Sequence, residues 1–331
     1  MSSKTSFLEM VPPKSRSLGC SNYLAWLILA QPEEGLLHQL SCLQPHGKYQ
    51  IAVTERSPSE SMDHFIKEAQ VTHTPTLFIQ PQPPTFHQVT GDRSSFAVNV
   101  ISPGSAQRGD LATHFISHPR TANISWIGYQ TYLTPPELLS QLQTRYFSSL
   151  RLGDYRDNAK SAEPLIRNND TSFIDLTSIR YCDAPDGSGK EPNGLYAQEI
   201  CQLARYIGVS SCLQTCYIYG YPKKIKSSSI IARLIAQILW HLFESLSTGQ
   251  QEDPAQPSQK MLFTTKEMYI GDQHHVLHFV HSNQTGRWWI RMESQEGISH
   301  FIPCMVEDYS MAIKGELPII WLRNYQKFNP I

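Results

Sequence analysis

The sequence predicts an α/β fold in which helices cover both faces of a mostly parallel sheet, followed by a C-terminal extension. Short runs rich in β-branched and aromatic residues alternate with longer segments whose apolar residues recur at helical spacing. This alternation is typical of parallel sheets, which are buried between helical layers. The chain has 331 residues, 40% of them hydrophobic, which is enough for one large globular domain or two smaller ones.

In the first half of the chain, three apolar runs are predicted strands and a fourth is ambiguous. Residues 24–29 form either a strand or a buried helical turn, because periodicity does not distinguish the two in so short a run. Ser57-Pro58-Ser59-Glu60 has the composition of a helix start, and this helix is expected to end near Ala69. The three predicted strands are residues 49–54, 76–79 and 95–101.

In the second half of the chain, predicted helices and strands also alternate. Thr134-Pro135-Pro136-Glu137 is a capping box with proline at the first helical position, and it predicts a helix that ends near Phe147. Residues 227–247 form the most apolar predicted helix, which we interpret as buried because polar residues, Arg233 and Glu244 among them, interrupt it. The other predicted elements are strands over 149–152, 171–177 and 214–219 and a helix over 195–207.

Composition places a domain boundary near residue 250. Residues 249–259, GQQEDPAQPSQ, are polar and are typical of a linker or an exposed loop. We therefore predict a main α/β domain over residues 1–250 and an extension over residues 251–331 that packs on it. The extension is expected to contain short strands and a terminal helix.

Charge and cysteine content indicate the cellular compartment in which the protein is expected. A net charge of -1 gives no electrostatic basis for binding nucleic acid or an anionic membrane. The seven cysteines are odd in number and contain no Cys-x-x-Cys pair, which favours free thiols in a reducing compartment over a disulfide or metal role. The N-terminal residues lack the continuous apolar core of a signal peptide. We therefore expect a cytoplasmic protein.

The most informative stretch runs from Thr171 to Gly208. It begins with a predicted buried strand, residues 172–176, which carries an acid, Asp175, near its end. A long loop rich in turn-forming residues follows, and then a helix. Open α/β sheets place ligands at the carboxyl ends of their strands, so this loop is the predicted position of a site.

The same stretch resembles the second signature of the ureohydrolase superfamily, which includes arginase, agmatinase and formimidoylglutamase. In that signature, a strand ending in Asp-x-Asp precedes a Gly-Leu-Thr-x-x-Glu segment. Asp175 matches the first acid, and Thr177 stands in place of the second. Gly194-Leu195 and Glu199 match the later segment. The likeness, to a formimidoylglutamase-like branch found in Bacteroidetes, extends over roughly residues 120–325 and implies a three-layer α/β/α arginase-like fold.

The resemblance also implies a metal site that this sequence fills poorly. Active members hold two manganese ions through Gly-Gly-Asp-His, Asp-x-His-x-Asp and Asp-x-Asp, and the ions activate a bridging water for attack on an amidine carbon. None of these strings occurs here. Asn99 and Ser102 stand near the place of the Asp-x-His-x-Asp strand, and both are poor manganese ligands. Asp175 is therefore at most a vestigial metal ligand, and no cofactor is expected unless manganese is retained at the ancestral site.

Six residues are candidates for a ligand pocket at the carboxyl edge of the sheet. In the family, the matching Glu faces the guanidinium or formimino group of the substrate, which is the role the resemblance implies for Glu199. The alternative is structural: Asp175 accepts backbone hydrogen bonds in its own loop, and Glu199 occupies the first turns of its helix, where negative charge is favoured. The candidates are Asp175, Thr177, Arg180, Asp183, Asn193 and Glu199.

A histidine-rich run, residues 274–281, raises the question of a second metal site. Its β-branched and aromatic content favours a strand over a helix. In a strand, His274 and His278 would stand roughly 13 Å apart, too far to share one ion. The sequence therefore predicts an ordinary strand here.

These observations lead to one leading hypothesis and two alternatives. The leading hypothesis is a degenerate ureohydrolase homologue without catalytic activity that binds a small molecule or a protein partner. The first alternative is a formimidoylglutamase-like hydrolase of linear amidine C–N bonds, with metal ligands drawn from residues such as Asp110, His114 or His118. The second is a structural subunit of a homo-oligomer.

Overall fold

A computed structural model describes residues 7–11, 23–31, 33–55, 74–90, 93–104, 111–249, 252–270 and 275–329. The chain divides into two compact units: residues 1–141 with 148–249, and residues 142–147 with 250–331. The second unit begins one residue before the predicted extension, and it also includes a short segment from the first half of the chain. Packing of the extension on the main domain stays a prediction.

A parallel sheet is the centre of the first unit. Its strands are β1 Leu8–Met10, β2 Ala25–Leu29, β3 Ile51–Glu55, β4 Thr76–Ile79, β5 Phe96–Ile101, β6 Thr121–Tyr129, β7 Ser148–Arg151, β8 Thr171–Asp175 and β9 Thr215–Tyr219. Their order is β1-β3-β2-β4-β9-β8-β5-β6-β7, and each described strand pair is parallel. The predicted parallel sheet is confirmed, and the ambiguous run at 24–29 is a strand.

The central strands β4 and β9 are buried along their whole length, as expected when helices cover both faces of the sheet. The predicted helix over residues 57–69 lies outside the described residues. The described helices of residues 1–249 are α1 Glu34–Ser41, α2 Phe86–Thr90, α3 Leu111–Ser117, α4 Pro136–Thr144, α5 Leu152–Asp157, α6 Ala162–Arg167, α7 Ala197–Gly208 and α8 Ile230–Thr248.

Helix α4 ends about three residues earlier than its apolar pattern predicts. Tyr146 adopts a left-handed backbone with φ of 55°, and it follows the last helical residue by two positions. The Phe147 N–H then donates to the Leu142 carbonyl at 2.9 Å, a bond that closes the helix end. Sequence did not predict this end, because glycine or asparagine usually takes such a position.

The apolar helix α8 is a core element of the first unit. By length and composition it could cross a membrane, but it packs against α1 and α7 and buries ten of its residues. A Cβ atom on Gly208 would lie 2.5 Å from the Leu242 carbonyl oxygen, so this glycine permits the close approach of α7 and α8. This packing agrees with the prediction of a buried helix.

The second unit is an antiparallel sheet with two helices. Its elements are β10 Phe263–Ile270, β11 His275–Ser282, β12 Trp288–Glu293, β13 Ser299–Cys304, α9 Val306–Ile313 and α10 Ile319–Phe328. Phe279, Trp288 and Ile290 form the centre of its core. The strand predicted for the histidine run is confirmed from His275 onward, and His274 lies outside the described residues.

Candidate functional site

Asp175 lies at the carboxyl end of β8, and its carboxylate serves the turn that follows. Its Oδ1 accepts hydrogen bonds from the Thr177 N–H at 2.9 Å and from the Thr177 hydroxyl at 2.7 Å. Gly220, just after β9, has φ of +85°, and a Cβ there would lie 2.5 Å from the same oxygen. Asp175 therefore caps the short 3-10 turn Leu176–Ser178 and fills the space that a side chain at position 220 would need.

The neighbouring positions on β5 and just after it do not supply metal ligands. The Asn99 amide is fully buried, where it donates to the Ser172 hydroxyl at 3.1 Å and its oxygen accepts from Asn169 at 2.6 Å. The Ser102 hydroxyl accepts from the Trp126 indole N–H at 2.8 Å. Both side chains satisfy polar groups inside the fold, as buried polar groups must.

The alternative histidine ligands lie at the other edge of the sheet. His118 packs on Phe96, the first residue of β5, with ring centroids 5.6 Å apart, and His114 stacks on Phe86 at 5.5 Å. The strand register places Phe96 about six residue steps from the level of Asp175, or roughly 20 Å at about 3.3 Å per step. Asp110 lies outside the described residues. Among the residues that are described, no three His, Cys, Asp or Glu side chains come close enough to hold one ion, so the fit to a two-manganese site is poor.

Asp183 joins the loop after β8 to the N-terminus of α7. One carboxylate oxygen accepts from the Ala197 N–H at 2.8 Å, and the other pairs with Arg180 at 2.8 Å. Burial opposes ionisation of this carboxyl, but the bonds from Arg180 and Ala197 outweigh it and hold its pKa below the ordinary value. An ionised carboxylate at a helix N-terminus is stabilised by the helix dipole.

Glu199 closes the first turn of α7 from within the helix. Its carboxylate accepts from the Tyr196 N–H at 2.7 Å and from the Arg156 guanidinium at 3.4 Å. Arg156, on α5, also donates to the Gly194 carbonyl at 2.6 Å. These contacts match the structural role considered for Glu199 from the sequence, because both carboxylate oxygens hold the N-terminal end of α7.

Two guanidinium groups lie over the ring of Tyr196. The Arg156 carbon is 4.2 Å and the Arg180 carbon 4.1 Å from the ring centroid. Cations this close to an aromatic face are attracted by its quadrupole. Tyr196 thus couples the arginine from α5 with the arginine from the loop after β8, and each arginine is also paired with a carboxylate at the α7 end.

An open groove of about 790 Å³ runs from this cluster along α7 and α8. Part of its polar lining comes from side chains spaced one helical turn apart, the pair Gln198 and Gln202 on α7 and the pair Gln237 and His241 on α8. Burial, and then the positive charge of Arg205, lower the pKa of His241, so its imidazole is mainly neutral at pH 7. The remaining lining residues are Arg180, Asp183, Tyr196, Ala197 and Cys201. Such a surface offers both hydrogen-bond donors and acceptors.

Five of the six predicted site residues fall into two groups. Asp175 and Thr177 bond to each other at the strand end, whereas Arg180, Asp183 and Glu199 surround the N-terminus of α7. Asn193 contributes its backbone carbonyl, which accepts from the Gln130 amide at 3.2 Å. Of the six, Arg180 and Asp183 line the groove.

Sequence reasoning missed Arg156 and the polar side chains of α7 and α8. Arg156 is 43 positions from Glu199, and no local pattern connects them. The paired polar residues at i and i+4 on these two helices are a signal that could have been used, because such pairs share one helix face.

Comparisons with known proteins agree on the fold. No protein-family model and no curated protein matches the sequence. Among solved structures, the oxidized formiminoglutamase of Trypanosoma cruzi with Mn²⁺ has a TM-score of 0.58 at 11% identity, covering 72% of this chain and 96% of that one. Formimidoylglutamase of Bacillus subtilis gives 0.56 at 9% identity, with 72% and 91% covered. Proclavaminate amidino hydrolase of Streptomyces clavuligerus gives 0.52 at 12% identity, with 69% and 94% covered.

These likenesses span nearly the whole length of each solved protein, and they match a sheet and helices derived independently from the sequence pattern. Identities near 10% establish shared architecture and leave the chemistry to be argued from this chain's own residues. The chain has the three-layer α/β fold of the arginase/ureohydrolase superfamily.

Proposed function

We propose that this chain is a ureohydrolase-fold protein that does not perform two-metal hydrolysis and instead binds a small polar ligand. The observation that carries the proposal is the bonding of Asp175, whose Oδ1 accepts two hydrogen bonds from Thr177. A pair of divalent ions needs several carboxylate and imidazole ligands. Asn99 and Ser102, at the neighbouring positions, are neutral and bonded to other side chains.

The groove along α7 and α8 supports a ligand that carries carboxylate or amide groups. Arg180, with its side chain 35% exposed, can donate to a carboxylate. The amides of Gln202 and Gln237 can each donate and accept, which suits an amide group of the ligand. The same lining would suit a protein segment less well, because its polar residues outnumber its apolar ones, which are Tyr196, Ala197 and Cys201.

Metal content tests the first part of the proposal. The full chain is purified without chelator, incubated with manganese, desalted and analysed for metal. We expect well below one manganese ion per chain, and the same value for Asp175→Asn and for the control Asp154→Asn, whose carboxylate is half exposed on α5. About two ions per chain, lost in Asp175→Asn and kept in the control, would establish the hydrolase alternative and require an amidine hydrolysis assay.

Isothermal titration of the same preparation tests the second part, with L-glutamine and L-glutamate as probes. Replacing Gln202 or Gln237 with Ala is expected to weaken binding about five-fold each, since one hydrogen bond contributes about 1 kcal/mol. Gln326→Ala, an exposed residue of the second unit, is the control. Absence of binding by both probes at millimolar concentration, or equal loss in the control, would contradict the groove as the site.

A further inference from the structure

The groove along α7 and α8 has a basic end, which lies beyond its amide side chains. His241 lines this end from α8, one helical turn after Gln237. On α7, Arg205 follows Gln202 by three residues, so the two side chains share a helix face. Arg205 is exposed, and its positive charge is close enough to the His241 imidazole to act on it. A guanidinium and an imidazole therefore lie near each other at this end.

The acid on this part of α8 is already used in other hydrogen bonds. Glu244 lies three residues after His241, but its Oε1 accepts from the His46 N–H at 2.8 Å and from the Tyr49 hydroxyl at 2.7 Å. In the described part of the chain, no carboxylate pairs with the Arg205 guanidinium, and no group bonds to the His241 imidazole. Both side chains can therefore donate hydrogen bonds to an anionic group of a ligand.

The charges around His241 make its protonation sensitive to a bound anion. Burial, and then the charge of Arg205, lower the pKa of His241, whereas the charge of Glu244 acts in the opposite direction. Helix α1 also packs on α8, but its titratable side chains, Glu34 and His38, are exposed and are not among the groups that act on His241. A ligand carboxylate beside the imidazole favours the imidazolium, so its binding takes up a proton.

We propose that His241 and Arg205 form a second anion-binding position in the groove, which takes the side-chain carboxylate of an acidic ligand together with a proton. This position rests on the proposed function, since it requires the groove to be the ligand site. Arg180 and Asp183 pair with each other at the opposite end, and both stay ionised between pH 6 and 8. A change of affinity in this range therefore belongs to His241, and it favours glutamate over glutamine as pH falls.

Isothermal titration of the full chain at pH 6 and pH 8, with L-glutamate and L-glutamine as probes, tests this position. The glutamate side chain itself stays ionised in this range, because its pKa is about 4.3. We expect glutamate to bind about five-fold more tightly at pH 6 than at pH 8, and glutamine to change by less than about two-fold. His241→Gln should remove the difference for glutamate. His38→Gln, which replaces an exposed histidine on α1, is the matched control and should retain it.

Two further measurements separate the imidazole from the guanidinium. In NMR, saturating glutamate should raise the pKa of the His241 imidazole, and glutamine should leave it in place. At pH 8, where the imidazole is neutral, Arg205→Gln should weaken glutamate binding about five-fold and glutamine binding less than about two-fold.

The two probes also distinguish failure of this position from failure of the groove. Glutamine binding together with equal glutamate affinity at the two pH values would overturn the second anion-binding position and leave the groove as the ligand site. A pH difference for glutamate that persists in His241→Gln would assign the proton to another group and overturn it as well. Absence of binding by both probes at both pH values would overturn the groove, and this position with it.

Discussion

Carboxylates hold two places in the first unit: the Asp175 corner at the end of β8, and the bridging corner formed by Asp183 and Glu199 at the N-terminus of α7. The two places differ in how far apart in sequence the bonded residues are. Asp175 bonds to Thr177, two residues away, and so stabilises a single turn. Asp183 and Glu199 instead connect α5, the loop after β8 and the start of α7. The first corner is where the family signature begins, and the second is where the chain brings distant segments together.

The difference explains how this sequence can match the family signature at Asp175 and depart from it at Thr177. A carboxylate that caps its own turn is useful without a metal ion or a second acid, so Thr177 can replace the acid of the family pattern and supply hydrogen bonds. A carboxylate that bridges segments depends on its partners, which here are Arg180 and Arg156. Removing the charge of Asp175 should therefore disturb only its own turn. Removing the charge of Asp183 or Glu199 should disturb the several segments that meet at the start of α7.

The largest effect is expected for Gly220→Ala, which crowds the Asp175 corner. A left-handed backbone costs a non-glycine residue about 1–2 kcal/mol, and the new Cβ would meet Asp175 Oδ1 at 2.5 Å. We expect about 3 kcal/mol of destabilisation in urea unfolding. Gly286→Ala, with φ of +73° and nothing within 4 Å, measures the backbone cost alone and should lose about 1 kcal/mol.

The double variant Gly220→Ala with Asp175→Ala makes this test specific. If the carboxylate fills the space, removing it should recover part of the loss, so the two changes should be less than additive. Full additivity would mean that Asp175 moves aside freely and that the corner is not tightly packed. That outcome would also weaken the structural interpretation of Asp175.

A smaller effect, about 2 kcal/mol, is expected for Asp183→Asn at the bridging corner. The variant weakens the pair with Arg180 and the charged cap of α7. Because the folded pKa of Asp183 is below its unfolded value, its contribution is complete above the unfolded value near 4 and is lost as pH falls through the folded pKa. Urea unfolding should show a constant gap between the two proteins from pH 7 to 5 that closes below pH 4.

The matched control for that pH series is Asp154→Asn. Asp154 also pairs with an arginine, Arg151, but both side chains are 50% exposed, so we expect less than about 0.5 kcal/mol. A gap for Asp183→Asn that persists unchanged at pH 3 would show that the carboxylate charge does not hold α7 in place.

Most strands of the first unit's sheet were predictable because they are local apolar runs, but β1 and β6 were not among the predicted strands. The position of Asp175 at a strand end followed from the same pattern. The end of α4 was not predictable, since Tyr146 takes a left-handed conformation that tertiary contacts must favour over its own preference. Inclusion of residues 142–147 in the second unit depends on packing across a hundred residues of sequence and leaves no local signal.

The candidate site shows the same division. The family pattern identified Glu199, and Asp183 was a candidate because it lies in the same continuous stretch. Arg156 reaches them from α5, and the groove requires α8, whose polar pair Gln237 and His241 is separated from α7 by a strand and a loop. The signature gave the acids at one corner, and the fold supplies the arginine and amide groups that determine what those acids do.

The smallest effect, and the sharpest probe of the bridging corner, is expected for Tyr196. Tyr196→Leu removes the ring under Arg156 and Arg180 and should cost about 1–2 kcal/mol in urea unfolding, since each exposed cation–π contact contributes about 0.5–1 kcal/mol. Tyr196→Phe keeps the ring and should stay within about 0.5 kcal/mol of the unmodified protein. Tyr181→Leu, on the same loop and 49% exposed, is the control for losing an aromatic side chain. If Tyr196→Phe loses as much as Tyr196→Leu, the hydroxyl and not the ring connects the two arginines, and α5 is coupled to the loop after β8 by hydrogen bonding alone.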